Sequence, residues 1–166
     1  DWEVFVDAVS GTVLRISDQA VYTDGSGYVF DPDPLTTAEV AYGGNYSDLS
    51  DADTAELTAQ RFMKTLPELT LVGGLYYLRG PWCYIDEFES PISAPVSNAD
   101  PNAFTYTRNQ QGFEDVLVYW HIDNSQRYMR SLGFTTIQAA PIHIDTHGLS
   151  GADNSHFIPS SNRIAY

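Results

Sequence analysis

Cysteine, lysine and long apolar runs are nearly absent from this chain of 166 residues. The single cysteine, Cys83, excludes an internal disulfide and any cysteine-rich zinc site. Its apolar setting, Gly80-Pro81-Trp82-Cys83-Tyr84, marks a small buried thiol rather than a nucleophile. Bases are scarce too: 8 Lys and Arg, of which Lys64 is the one lysine, stand against 22 acids, for a net charge of −14. That balance argues against nucleic-acid binding, which needs a basic stripe to replace phosphate counterions. An anionic membrane surface would repel the chain as well. No apolar stretch reaches the roughly 18 residues of a membrane span. Hydrophobic residues make up 43% and aromatics 13%, enough to build a core and to exclude general disorder.

The acids are unevenly spread. Residues 1–60 hold twelve acids and one base, Arg15, a net of −11. Residues 61–166 hold ten acids and seven bases, a net of −3. An acidic surface with one lysine and many Tyr, Thr, Ser and Asn residues suits a secreted, extracellular protein.

Trp2-Glu3-Val4-Phe5-Val6 and Thr12-Val13-Leu14-Arg15-Ile16 alternate around Ser10-Gly11 and predict a hairpin. Such a hairpin is marginal alone. The chain opens inside this pattern and stops in another, Arg163-Ile164-Ala165-Tyr166, so both ends are expected to be cuts through a longer protein. Asp24-Gly25, Gly27, Asp31-Pro32 and Asp33-Pro34 are turn signals and predict a linker. A short helix is expected from Asp51 to about Lys64, capped by Ser50 or Asp51. Leu69–Val72 and Leu75–Leu78 flank Gly73-Gly74 as a second hairpin, Trp82–Ile85 reads as a strand, and prolines keep the chain irregular to about residue 104.

The strongest helix signal covers residues 113–132, where Phe113, Val116, Leu117, Trp120, Tyr128 and Leu132 recur at three- and four-residue spacing. Glu114 and Asp115 in its first turn and Arg127 and Arg130 near its end suit the helix dipole, and Gly133 fits the C′ stop. The fold expected is α+β, with mostly antiparallel strands packed on this one long helix. Leu117, Trp120, Tyr128, Leu132, Trp82 and Tyr84 are the expected core.

No catalytic constellation is complete. His143 and His147 stand four apart, a zinc spacing on a helix, but Pro141 precedes them and no Glu sits beside the first. Read as a strand, His143, Asp145 and His147 share a face, which with Asp153 or His156 would make an accidental metal site. His121, among aromatics, reads as a core histidine donating a hydrogen bond. Calcium is possible at Asp31/Asp33 or Asp48/Asp51/Asp53, although neither fits an EF-hand loop and a solvated acidic face is the default. No serine lies in a G-x-S-x-G setting, and the Gly-Gly pairs lack a following Lys-Ser/Thr.

Three segments together resemble the secreted zinc metallopeptidases of the thermolysin and fungalysin type. Residues 2–14, Trp-Glu-Val-Phe-Val-Asp-Ala-Val-Ser-Gly-Thr-Val-Leu, look like the closing hairpin of their PepSY-type propeptide. Phe113-Glu114-Asp115-Val116-Leu117-Val118-Tyr119-Trp120-His121-Ile122-Asp123 resembles the long aromatic helix of the N-terminal peptidase domain. Asp153-Asn154-Ser155-His156-Phe157, followed by Arg163–Tyr166, looks like the edge-strand hairpin before the catalytic helix. The resemblance implies a propeptide hairpin over 1–19, a linker over 20–40, and a β-rich N-terminal peptidase subdomain over 41–166.

The resemblance also implies a non-catalytic part of a zymogen. Zinc, and the His-Glu-x-x-His motif that binds it, would belong to a downstream catalytic domain of the same protein, so no catalytic residue and no zinc ligand is assigned to this chain. By resemblance Asn154 and Ser155 would grip an extended peptide or protein substrate, as an unpaired strand edge can. The bland reading of Asn154 is a turn residue after Asp153. The alternative function is an extracellular protein-binding or protease-inhibitory module without catalysis of its own.

Overall fold

The computed structural model describes residues 2–18, 21–47, 51–152 and 154–166, apart from the side chains of Trp2 and Asp18. The first element is the expected hairpin: β1 (Trp2–Val6) pairs antiparallel with β2 (Val13–Asp18). Asp7 shapes its turn by accepting the amides of Val9 (2.9 Å) and Ser10 (2.7 Å), and Gly11 takes φ +71° there. This two-stranded sheet stays separate from the others.

Residues 20–40, expected to be a linker, contain β3 (Tyr22–Val29) and α1 (Pro34–Ala38). The glycines of β3 serve close packing rather than a turn. A Cβ on Gly25 would lie 2.2 Å from the Pro101 carbonyl oxygen, and one on Gly27 would lie 2.7 Å from Val116 Cγ1. A strand that passes under another backbone excludes side chains on that face. Asp33 caps α1, accepting the amides of Leu35 and Thr36 at 2.9 Å.

The helix expected over 51–64 shrinks to α2 (Ala55–Ala59), capped by Thr54 through Leu57 N at 3.1 Å. From Phe62 the chain is already extended: β4 runs Phe62–Val72 and pairs along β3. Its apolar residues Leu66 and Leu69 are wholly buried. Gly73 and Gly74 turn β4 into β5 (Leu75–Tyr77), as the sequence predicts, and β5 pairs with β7 (Ser97–Asn98). The order of this sheet is β3-β4-β5-β7.

A second four-stranded sheet runs β6-β8-β10-β9, built from Cys83–Ile85, Ile142–Asp145, Arg163–Ala165 and His156–Ile158. Here the expectation of mostly antiparallel pairing gives way. β6 with β8 and β8 with β10 are parallel pairs, and only β9 with β10 is antiparallel.

The long helix α3 spans Gly112–Ser131, and Gly133 follows it at φ +94°. Both four-stranded sheets meet it in one core of Val29, Leu66, Leu69, Cys83, Ile85, Phe104, Val116, Tyr119 and Ile144. The chain is therefore a mixed α/β fold of the α+β kind with one long helix, but its strands do not gather on that helix as a single layer: β1 and β2 lie outside this core.

The buried stripe of α3 is Phe113, Val116, Tyr119, Asp123 and Gln126. Tyr128 and Leu132, expected in the core, are 64% and 56% exposed. Trp120, Leu117, Trp82 and Tyr84 are half-buried. Tyr128 fails because it lies two residues past Gln126, roughly 200° around the helix from the buried line.

Candidate functional site

A groove of about 1160 Å³ opens between the N-terminal half of α3 and the loop from Thr146 to Ser155. Phe30, Leu57 and Phe113 form its buried apolar floor, with Leu117 packed beside them. Phe30 and Phe113 meet edge to face at 4.9 Å between ring centroids. His121 secures this wall, its Nε2–H donating to the Phe30 carbonyl at 2.9 Å, the hydrogen-bonded role its sequence context predicts.

The polar side of the groove is built from Arg108, Glu114 and His147. His147 Nδ1 lies 3.1 Å from Glu114 Oε2, and its buried Nε2 lies 3.9 Å from Asp115 Oδ1 without a hydrogen bond. Arg108 reaches Asp51 at 3.5 Å and donates to the Ser47 carbonyl at 3.0 Å. In the sequence Glu114 and Asp115 read simply as partners of the helix dipole. What the pattern hides is that their side chains are half-buried and buried, and face a histidine 32 to 33 positions further along the chain.

Carboxylates fix the loop that carries the candidate substrate residues. Asp145, 1% exposed, accepts the amides of Phe88 (3.0 Å), Glu89 (2.8 Å) and His147 (3.1 Å). Glu89 in turn accepts Leu149 N (3.1 Å) and pairs with His156 Nε2 (2.8 Å). Asp115 accepts Val96 N at 2.9 Å and the Thr146 hydroxyl in a short bond. The crossover between β8 and β9 is thus bolted to residues 86–96 by side chains that only accept.

Asn154 and Ser155 are exposed, line the groove, and stand directly before β9. Strand β9 is an edge of its sheet, and Phe157 on it is 54% exposed. Asn154 Oδ1 accepts Ser155 N at 2.8 Å, a local turn bond of the kind the bland reading predicts. Asp153 lies outside the described residues, as do Asp48 and Ser50.

The histidines do not converge. His143 pairs with Asp86 (2.9 Å), His147 with Glu114 and His156 with Glu89. Among the described residues no group of three or more His, Cys, Asp or Glu is arranged to hold a metal ion. The candidate calcium acids have other duties: Asp31 pairs with Lys64 (2.6 Å), Asp33 caps α1, Asp51 faces Arg108 and Asp53 accepts the Thr58 hydroxyl (2.6 Å). Cys83 is free and fully buried, and burial pushes its thiol up.

Burial raises the carboxyl groups of Glu87, Glu114, Asp115 and Asp123 above their ordinary values, against the opposing pull of His147 on the first three and of Arg127 on the last. A carboxyl raised in the folded state binds its proton more tightly than in the unfolded chain. Its contribution is therefore fully favourable below the unfolded value, about 4, and is lost as pH rises through the folded one. Asp7 and Asp33 are lowered, by bonds from Ser10 and Thr36, and their contribution is lost on the acid side instead. The melting midpoint is expected to fall as pH rises from about 4 toward neutrality. Glu87→Gln, which removes one raised group, should flatten that fall; thermal melts from acid to neutral pH check both.

No helix among the described residues is long and apolar enough to cross a membrane. No protein-family model, no curated protein and no solved structure matches this chain.

Proposed function

We propose that this chain is the non-catalytic N-terminal part of a secreted zinc metalloendopeptidase of the thermolysin or fungalysin type, providing one wall of the cleft and its substrate-binding edge strand. The observation that carries the reading is the position of Asn154 and Ser155: exposed, on the groove wall, and immediately before an edge strand. An extended peptide adds to such an edge through its backbone, while apolar side chains find the floor of Phe30, Leu57 and Phe113. Zinc and the general base would come from the downstream catalytic domain, so the chain itself holds and orients peptide without cleaving it. The loop's carboxylate bolts keep the edge in place at little entropic cost on binding.

Reading the natural coding sequence past Tyr166 tests this directly. A His-Glu-x-x-His motif is expected within about one further domain length, on the order of 100–200 residues. Its absence there, or peptide hydrolysis by the metal-free 166-residue chain, would overturn the proposal. In the whole enzyme Asn154→Ala should lower kcat/KM about tenfold, the loss of one to two substrate hydrogen bonds.

One observation favours the alternative, a protein-binding or inhibitory module. In the β1–β2 hairpin Val4, Phe5, Val6, Val13, Leu14 and Ile16 are each about half exposed or more, a surface suited to a partner protein. Tight binding of the chain to a protease that lacks this hairpin would favour that reading.

A further inference from the structure

The chain carries 22 acids against 8 Lys and Arg, yet four of its arginines, Arg61, Arg79, Arg130 and Arg163, make no ion pair with any described residue. Two of them, Arg79 and Arg163, are the ends of one row. Arg79 forms a β-bridge with Tyr84, Tyr84 is in register with His143, and His143 is in register with Arg163. Strand alternation turns the neighbours Cys83, Ile85, Ile144 and Ile164 toward the core, so the row occupies the opposite face of the sheet. Aromatic rings hold the guanidinium groups. Arg79 stacks on Tyr77 at 4.7 Å and on Tyr84 at 4.5 Å, and Arg163 stacks on Phe88 at 4.7 Å. Between them Tyr84 and His143 stack at 4.7 Å, with Asp86 bonded to His143 Nδ1 at 2.9 Å.

A guanidinium stacked on a ring keeps its in-plane donors for a carboxylate and has lost most of its rotamer freedom beforehand. We infer that the row Arg79–Tyr84–His143–Arg163 is a docking strip for a short extended acidic peptide. Charge complementarity selects this occupant. The net charge of −14 repels long polyanions such as nucleic acid, while two fixed guanidiniums act at contact range, within a Debye length of about 8 Å. Geometry sets its spacing. Three inter-strand steps of about 4.8 Å separate the two arginines, roughly 14 Å, and four residues of extended chain span about 13 Å. Residues four apart in an extended peptide also share a face. The preferred ligand therefore carries acidic residues at positions i and i+4. None of the four row residues lines the groove, so the inference stands apart from the function proposed above.

Fluorescence anisotropy of a labelled Glu-x-x-x-Glu peptide with Ser and Thr spacers, titrated with the 166-residue chain at low salt, is the test. Saturable binding is expected, weakened about tenfold or more by Arg163→Gln and likewise by Arg79→Gln, as the loss of a charge-assisted bidentate bond requires. Arg163→Lys, which keeps the charge and the fold, should fall between. Peptides with acids two or six residues apart, or with Lys in place of Glu, should bind several-fold more weakly or not at all. Equal binding by the lysine peptide, indifference to spacing, unchanged binding by the folded Arg163→Gln chain, or preferential binding of single-stranded nucleic acid over the peptide would each overturn the inference.

Discussion

Tyr119→Ala is expected to lower the stability of the chain by about 3–5 kcal/mol, measured by chemical denaturation. Tyr119 is wholly buried and stands where the two four-stranded sheets meet α3. Its hydroxyl donates to the Pro67 carbonyl at 2.6 Å, at a point where β4 kinks and Glu68 takes φ +55°. Gly80 packs so closely that a Cβ there would lie 2.4 Å from the hydroxyl oxygen. Burial pushes the phenol up, so it stays a donor throughout the accessible pH range. Tyr119→Phe isolates the polar part and should cost about 1–3 kcal/mol, because the Pro67 carbonyl loses its partner. Trp120→Ala, by contrast, should cost less than Tyr119→Ala, since Trp120 is half-buried. If the order of the two were reversed, the helix would be rotated from the position described.

Asp145→Ala is the second large effect, on the order of 3 kcal/mol or more. Three backbone amides, those of Phe88, Glu89 and His147, lose their acceptor at once, and each such loss costs about 1 kcal/mol or more in a buried setting. The carboxylate suits the site because it only accepts; Asp145→Asn presents an N–H to one of the three donors and should be intermediate. The loss is expected to be local as well as global. Hydrogen exchange at residues 86–89 and 146–150 should accelerate more than at the centre of α3. Uniform acceleration through the chain would place the bolt elsewhere.

Much of the fold is legible where local chemistry and tertiary packing agree. The Gly73-Gly74 hairpin, the Ser10-Gly11 hairpin, α3 with its Gly133 stop and the strand Cys83–Ile85 are all of this kind. The misreadings share a cause. Asp24-Gly25 and Gly27 look like turn chemistry, but those glycines make room for Pro101, Phe104 and Val116, residues that only the folded chain brings near. Likewise hydrophobic spacing admits two stripes on α3. The buried one carries Asp123 and Gln126, which an apolar pattern rejects; Asp123 is buried because Arg127 bonds it at 2.5 Å.

The site is legible in the same partial way. Asn154 and Ser155 enter through the family resemblance; their local pattern alone reads only as a short polar turn ahead of a strand. Arg108, Glu114 and His147 cannot be named from the sequence, because their meeting depends on a loop folding back onto a helix terminus. Parallel pairing of β6, β8 and β10 is also invisible locally: each is a run of three or four residues around one or two isoleucines, and its direction depends on its crossovers.

The β1–β2 hairpin pairs with no other strand among the described residues, and its apolar side chains face outward. Cooperativity of unfolding is carried by shared buried contacts, so it stops at the end of β2. A melting curve of the whole chain consequently reports on the body from β3 onward, and sequence changes before residue 19 can accumulate without registering in it. Selection on that hairpin would act through whatever it touches rather than through the integrity of the fold beside it.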